Sequence, residues 1–192
     1  MTDVTVTMST AVVTVADTSA TVNVMGPAIP TVTVSAGGVL PSLFSGSFID
    51  STVQTNGGTA VANLVSIGAS DDAYGISLQD GSKIVYANAG RYMVNFLGQF
   101  ITTGGGSNYA VTVWYAVNGS AVTNSAYQYT TTGVGGQVLG NIQDIVVANA
   151  GDYVQFYWWS TNTYMRLTNV AAGTAPTRPA SPSVNINTYN VG

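Results

Sequence analysis

The side chains that carry most enzyme chemistry are missing from this sequence. It has no His or Cys, and all eight of its acidic residues are Asp. Its four basic residues are Lys83, Arg91, Arg166 and Arg178. General acid–base and nucleophilic catalysis usually need His, Glu or Cys beside a partner group, and no such set can be assembled here. We therefore expect a protein that is not an enzyme and holds no cofactor. Its stability should change little between about pH 6 and 8, because no His titrates there.

Two short motifs suggest binding or modification, but simpler explanations are favoured. Asp71 and Asp72 are adjacent carboxylates, which can hold a hard cation together with nearby carbonyl oxygens. They lie in a Ser-Asp-Asp-Ala stretch that we expect to be a loop, and their spacing is not that of a calcium-binding loop. Solvated carboxylates are the favoured interpretation, so no metal site is predicted. Asn118-Gly-Ser120 matches a glycosylation acceptor, but an Asn-Gly hairpin turn explains it fully.

An aromatic strand is predicted after the turn at Asn149-Ala-Gly-Asp152. Because side chains alternate across a strand, its two faces differ in character. The face expected in the core carries Val154, Phe156 and Trp158, and the other carries Tyr153, Gln155, Tyr157 and Trp159. Tyr157, Trp159 and Tyr164 can form a platform on which a sugar stacks. Core or interface packing is the more common use of such aromatic residues and is favoured.

The composition excludes several classes of partner. Charged residues make up 6% of the chain, against about 25% in ordinary soluble domains. A surface so poor in charge must be covered by Thr, Ser, Asn and Gly or buried against other subunits. A net charge of −4 without any basic run argues against nucleic acid as a partner. No apolar run reaches the roughly 20 residues of a membrane span, so no membrane partner is expected. The start lacks a basic signal region and is interpreted as mature.

The whole chain is predicted to be β-structure. Val, Thr and aromatic residues form short runs, and Asp80-Gly81 and Asn118-Gly119 predict two tight hairpin turns. Beyond the N-terminal segment, strands are expected near 42–49, 60–65, 74–78, 83–86, 91–101, 108–117, 121–130, 138–147, 153–160, 164–167 and 184–191. A loop is expected at 174–182. Many strands without a helical period indicate a sandwich or a barrel.

A short internal repeat favours a sandwich of the jelly-roll type. The stretches 87–92 and 148–153 match at five of six positions, and each opens a long aromatic strand. Two equivalent units of turn and strand suggest two Greek keys, which make up a jelly roll. The alternative is one common turn used twice.

The first residues form a distinct segment, with a hinge predicted at Ala36-Gly-Gly38. Val-x-Val pairs recur in it at spacings of nine, nine and ten residues, separated by turn-prone pieces. We interpret them as four short strands of a meander or a small repeated β unit. Large side chains are few, so the segment needs a partner, and an edge sheet packed on the next domain is an equal alternative. The predicted domains are a β segment at 1–38 and a jelly roll at 39–192.

Several motifs resemble those of C1q/TNF-like jelly rolls, including the C1q-like domains of bacteriophage virion proteins. The motifs are Gly90-Arg-Tyr-Met-Val-Asn-Phe96, Val113-Trp-Tyr-Ala-Val-Asn-Gly119, Ala150-Gly-Asp-Tyr-Val-Gln-Phe156 and the Pro-rich 176–184. Together they cover roughly residues 42–191. The resemblance implies a ten-stranded jelly roll that assembles as a homotrimer around a threefold axis. No collagen-like repeat precedes the domain, and a virion protein made in a bacterial cytoplasm fits better than a secreted cytokine.

The predicted trimer interface follows from the alternation of side chains along a strand and from this resemblance. In 92–101, Tyr92, Val94, Phe96 and Phe100 should point to the core, which leaves Met93, Asn95, Leu97 and Gln99 on the other face. An exposed Met/Leu patch is unusual in a monomer, and the family places this strand at the threefold axis. Neighbouring strands are expected to add Leu139, Asn141, Gln143, Asn185, Asn187 and Tyr189. Buried amide side chains need hydrogen bonds, which copies around an axis can supply.

The sequence leaves two functions open. The first is a viral structural protein, a trimeric decoration (cement) protein attached to the major capsid protein or another virion protein. The second is the knob of a tail or head fibre that binds a host surface glycan. Attachment is assigned to the N-terminal strands, whose edges lack the Lys that usually guards them and therefore suit strand addition. The attachment residues are Val4, Val6, Val13, Val15, Val22, Val24, Val32 and Val34.

Overall fold

A computed structural model describes residues 3–5, 21–23, 43–106 and 108–191 of the chain. The chain divides into two units, Met1–Ser42 and Leu43–Gly192, which are treated separately below. All regular structure in these four stretches is β-strand. Within them, no helix is long and apolar enough to cross a membrane.

In the first unit, two short strands pair with each other. They are β1 (Asp3–Thr5) and β2 (Thr21–Asn23), which run parallel, with Val4 opposite Val22. The two strands therefore contain Val4 and Val22, which begin the first and third Val-x-Val pairs of the sequence. A meander would pair successive strands in antiparallel fashion. The observed pairing favours the repeated β unit over the meander for these two segments.

The second unit contains two seven-stranded sheets, the first of which we call sheet 1. Its strands are β3 (Ser45–Asp50), β4 (Gln54–Thr55), β6 (Ala69–Tyr74), β9 (Gly90–Thr102), β13 (Gln137–Ala148), β15 (Met165–Leu167) and β18 (Val184–Asn190). β9 is its longest strand and pairs with β13 on one side. β18 and β15 also pair with β9, along successive parts of its length.

The second sheet, sheet 2, is built around β10 and β14. Its strands are β5 (Asn63–Leu64), β7 (Ile76–Gln79), β8 (Lys83–Tyr86), β10 (Tyr109–Val117), β11 (Ser120–Ala121), β12 (Tyr127–Thr131) and β14 (Tyr153–Ser160). A separate two-stranded hairpin consists of β16 (Gly173–Thr174) and β17 (Thr177–Arg178).

The chain crosses between the two sheets repeatedly, and its first and last long strands, β3 and β18, lie side by side. This strand order confirms the predicted all-β jelly-roll sandwich. The two copies of the repeated turn sequence lie at the starts of β9 and β14, which are the central long strands of opposite sheets. Each copy of the repeated sequence thus opens the main strand of one sheet.

The core lies between the sheets and is strongly aromatic. The alternation predicted for β9 and β14 is confirmed, because Tyr92, Val94, Phe96, Phe100, Val154, Phe156 and Trp158 are all buried. Phe96 stacks on Phe156 across the sandwich, with ring centroids 4.8 Å apart. Phe100 meets Trp158 edge to face at 5.6 Å. These contacts connect the central strands of the two sheets.

Both predicted hairpin turns are present. Asp80 and Gly81 have φ values of 50° and 62°, and Asn118 and Gly119 have 51° and 78°. Two consecutive residues with positive φ define the type I′ turn, for which Asp-Gly and Asn-Gly are the preferred sequences. The turns join β7 to β8 and β10 to β11.

Four predicted elements differ from the structure. The strand predicted near 60–65 is only Asn63–Leu64, and the one at 121–130 is interrupted between β11 and β12. The loop at 174–182 contains part of the β16–β17 hairpin. Asp71 and Asp72, predicted in a loop, lie in β6, which pairs with β3 through a bulge near Ser47. Pairing with β3 supplies the hydrogen bonds that make this polar stretch a strand despite its low β-propensity.

Candidate functional site

The predicted interface residues lie on β9, β13 and β18, which are adjacent strands of sheet 1. Leu97 is directly opposite Asn141 of β13 and Asn185 of β18. Residues directly opposite on paired strands share a face, so these three side chains form one row across the sheet. We call the side of sheet 1 that faces away from the core its outer face.

Three further rows complete the predicted set on this face. Asn95 is opposite Gln143 and Asn187, Met93 is opposite Tyr189, and Gln99 is opposite Leu139. The structure therefore brings all ten predicted residues together on one face of sheet 1. Their role in a trimer remains a prediction.

The outer face also carries apolar residues that the sequence analysis missed. Ile145 lies opposite Met93 and Val147 opposite Arg91, and they are 40% and 71% exposed. Leu139 and Tyr189 are 53% and 44% exposed. The alternation of side chains in β13 could have identified them. Every second residue of this strand from Leu139 to Val147 lies on the outer face. Together these residues form an exposed apolar surface around a polar centre.

Hydrogen bonding at the polar centre is incomplete. Asn187 Nδ2 donates to Asn185 Oδ1 at 2.6 Å, so these two amides satisfy each other in part. Gln99 Nε2 donates to Ser181 Oγ and to the carbonyl of Pro182, so this side chain is held by its own chain. Asn95 Oδ1 is buried and has no hydrogen-bond partner within the described residues. An unsatisfied buried acceptor costs about 1–3 kcal/mol.

Asp71 and Asp72 do not form a ligand cluster in the structure. Both are exposed on β6. Among the residues whose structure is described, no three His, Cys, Asp or Glu side chains come together in a group able to hold a metal ion.

The three aromatic residues considered as a sugar platform do not share one ring cluster. Tyr157 stacks on Trp114, with centroids 5.8 Å apart and an interplanar angle of 13°. Trp159 Nε1 donates to the carbonyl of Thr59 at 2.7 Å. Tyr164 lies against Gly104, and it forms no ring pair in the described ranges. The partner of Tyr157 is therefore Trp114, because β10 pairs with β14 and places Trp114 opposite Tyr157.

The predicted attachment residues are only partly described. Val4 lies in β1 and Val22 in β2, where they are register partners. The remaining six, Val6, Val13, Val15, Val24, Val32 and Val34, lie outside the described residues.

Two buried tyrosines connect the sheets. The Tyr86 hydroxyl on β8 lies 3.4 Å from the Thr188 hydroxyl on β18. The Tyr115 hydroxyl on β10 donates to Asp144 Oδ2 on β13 at 2.8 Å. Burial raises the pKa of both phenols well above the ordinary value. For Tyr115, the hydrogen bond to Asp144 raises the pKa further.

These tyrosines predict a loss of stability at alkaline pH. Above their ordinary pKa of 10.0, the unfolded chain releases protons that the folded protein keeps. Their contribution is therefore complete below about pH 10 and is lost as the pH rises further. We expect urea midpoints to be constant from about pH 7 to 9 and to fall above about pH 10. In the double variant Tyr86→Phe/Tyr115→Phe the fall should be smaller. Tyr74→Phe, a surface substitution, is the matched control, and an unchanged fall in the double variant would contradict this assignment.

Comparisons with known proteins were made for sequence and for structure. No protein-family model and no curated protein matches the sequence. Among solved structures, the globular domain of the zebrafish complement 1qA protein is similar to this chain. The alignment covers 78% of this chain and 97% of that chain, with a TM-score of 0.45 and 8% sequence identity. At this identity the likeness does not extend to ligands or partners, and the jelly-roll assignment rests on the strand order itself.

Proposed function

We propose that this protein is a viral structural protein, a trimeric decoration protein of a bacteriophage head. In this proposal the outer face of sheet 1 joins three copies, and the N-terminal strands attach the trimer to the major capsid protein or another virion protein. The protein is assembled in the host cytoplasm and resides in the virion. The observation that carries the self-association is the outer face of sheet 1, on which exposed apolar residues lie beside exposed amides.

Two features of this face support contact with further copies of the same chain. Removing Leu139, Ile145, Val147 and Tyr189 from water is favourable by about 25 cal/mol for each Å² of apolar area buried. The neighbouring exposed amides of Asn141 and Gln143 carry N–H donors. When copies face each other, these donors can pair with the exposed side-chain oxygens of the same residues in the next copy. A contact between copies would therefore bury the exposed apolar residues and pair the exposed amides.

The assignment to a virion is supported by the sequence rather than by the sheet geometry. The motifs of 42–191 resemble C1q-like domains of phage virion proteins, and the composition lacks the side chains of most enzymes. A surface of Thr, Ser, Asn and Gly with few charges suits a protein that packs against many identical neighbours. The N-terminal segment adds strands with unguarded edges, which suit main-chain pairing with a shell protein.

A fibre knob that binds a host surface glycan is the second candidate. The observation in its favour is the stacked pair of Trp114 and Tyr157 on the side of sheet 2 that faces away from the core. Aromatic faces of this kind hold the apolar side of a sugar ring. This candidate keeps the trimer but assigns the protein to the tail or a head fibre.

Copy number per particle distinguishes the two candidates. A decoration protein covers the shell and should be present in hundreds of copies, whereas fibres number about a dozen, following the symmetry of each structure. The measurement is the stained band intensity of this protein relative to the major capsid protein in purified particles. A ratio that corresponds to about a dozen copies would assign the protein to a fibre. Absence from the particles would reject both candidates.

A further inference from the structure

A groove of about 440 Å³ lies beside β4 and β5 in the second unit. It is lined by residues from 52–55, 61–64 and 66, and by Trp158 of β14. The lining is polar but contains no charged side chain. Its volume falls within the range of small-ligand sites, roughly 300–1,000 Å³.

Hydrogen bonds hold the walls of this groove in place. The Gln54 side chain bridges its two sides, donating to the Ser66 carbonyl at 2.8 Å and accepting from the Ser66 amide at 2.9 Å. Asn63 Oδ1 accepts from the Gly57 amide at 2.8 Å, while Asn63 Nδ2 donates to the Trp158 carbonyl at 3.2 Å. Binding here would need little ordering of the protein, which is a large part of the cost of recognition.

Several groups in the groove are left without partners. The hydroxyls of Thr55 and Ser66 make no hydrogen bond to any described residue. Both residues are exposed, so these hydroxyls are open to a ligand. Trp158 lines the groove but is fully buried, so its unpaired Nε1–H is out of reach of a ligand. Beside these donors and acceptors are apolar side chains, with Val61 and Leu64 each 42% exposed.

This combination identifies the class of ligand. Free hydroxyl groups next to exposed apolar side chains match a ring that carries hydroxyls at its edge and C–H groups on its faces. The absence of charged lining residues leaves nothing to compensate the desolvation of an ionic ligand. Leu64 is opposite Tyr157 in the sheet, so the stacked Tyr157 and Trp114 continue the surface beyond the groove.

We propose that this groove binds a neutral saccharide unit. The proposal does not depend on trimer formation or on attachment to a capsid. The saccharide unit would lie between β4 and β5. A longer glycan would make a second contact with Tyr157 and Trp114. Tyr164 has no part in it.

The test uses the full-length protein and four free sugars, namely N-acetylglucosamine, galactose, glucose and mannose. Saturation-transfer NMR should detect binding of at least one of them. Ala62→Trp places a large side chain at an exposed lining position and should weaken that binding by at least about tenfold. Ala172→Trp introduces the same side chain in an exposed loop away from the groove and should leave binding unchanged.

A second variant avoids any doubt about folding. Thr55→Val keeps the shape and the strand preference of the side chain but removes its hydroxyl, and it should weaken binding by about threefold or more. No transfer from any of the four sugars would overturn the proposal. Binding that survives both Ala62→Trp and Thr55→Val would overturn it as well, because the sugar would then bind elsewhere.

Discussion

Substituting Leu97 by Asp is expected to convert a trimer into folded monomers. The wild-type protein at micromolar concentration should scatter light as three times 19.7 kDa. Leu97 lies in the middle row of the outer face, between Asn141 and Asn185. Three introduced carboxylates would meet near one axis, where burial of unpaired like charges is strongly unfavourable. Circular dichroism should show unchanged β-sheet, because the Leu97 side chain points away from the core.

Val85→Asp is the matched control for this experiment. Val85 is also a half-buried aliphatic residue on a strand, but it lies in β8 of sheet 2. Its substitution should leave the mass at the trimer value. A wild-type protein that scatters as a monomer would contradict the proposed assembly. A trimer that survives Leu97→Asp would show that copies meet through another surface.

Deleting residues 1–36 is expected to abolish attachment to the particle while leaving the jelly roll trimeric. The described strands of this segment are short and carry few charges, and β1 and β2 have main-chain donors and acceptors at their edges. If strand pairing supplies the affinity, removing the strands removes attachment altogether. The measurement is co-sedimentation of the truncated protein with particles that lack the wild-type protein. Occupancy at the wild-type level would place the anchor in the jelly roll. A truncated protein that fails to fold would show that the boundary near residues 37–38 is wrong.

A smaller change tests the same idea in the full-length chain. The double substitution Val4→Pro/Val22→Pro removes a backbone donor from β1 and from β2, and Pro is poorly tolerated inside a paired strand. Attachment should fall strongly. Ser9→Pro lies in a turn-prone piece of the sequence and should have little effect. Equal loss from both variants would indicate a general effect of Pro on the segment rather than strand pairing.

The sequence by itself determined the features that depend on neighbouring residues along the chain. The faces of β9 and β14 follow from the strand geometry, which sends successive side chains to opposite sides. The turns at Asp80-Gly81 and Asn118-Gly119 follow from the positive φ that these residues accept readily. The expectation that the protein is not an enzyme also rests on the sequence alone, which has no His, Cys or Glu.

The tertiary structure alone decided which strands became neighbours. The polar stretch with Asp71 and Asp72 became a strand because β3 pairs with it. Ile145 and Val147 joined the outer face because β13 pairs with β9 over its whole length.

The register between β10 and β14 also placed Tyr157 opposite Trp114. The tertiary structure brought residues 52–55, 61–64 and 66 together beside Trp158, where they line one groove. The physical reason is that strand pairing is decided by burial and hydrogen bonds between distant parts of the chain. The local pattern of side chains specifies which face is apolar but leaves many partners equally compatible.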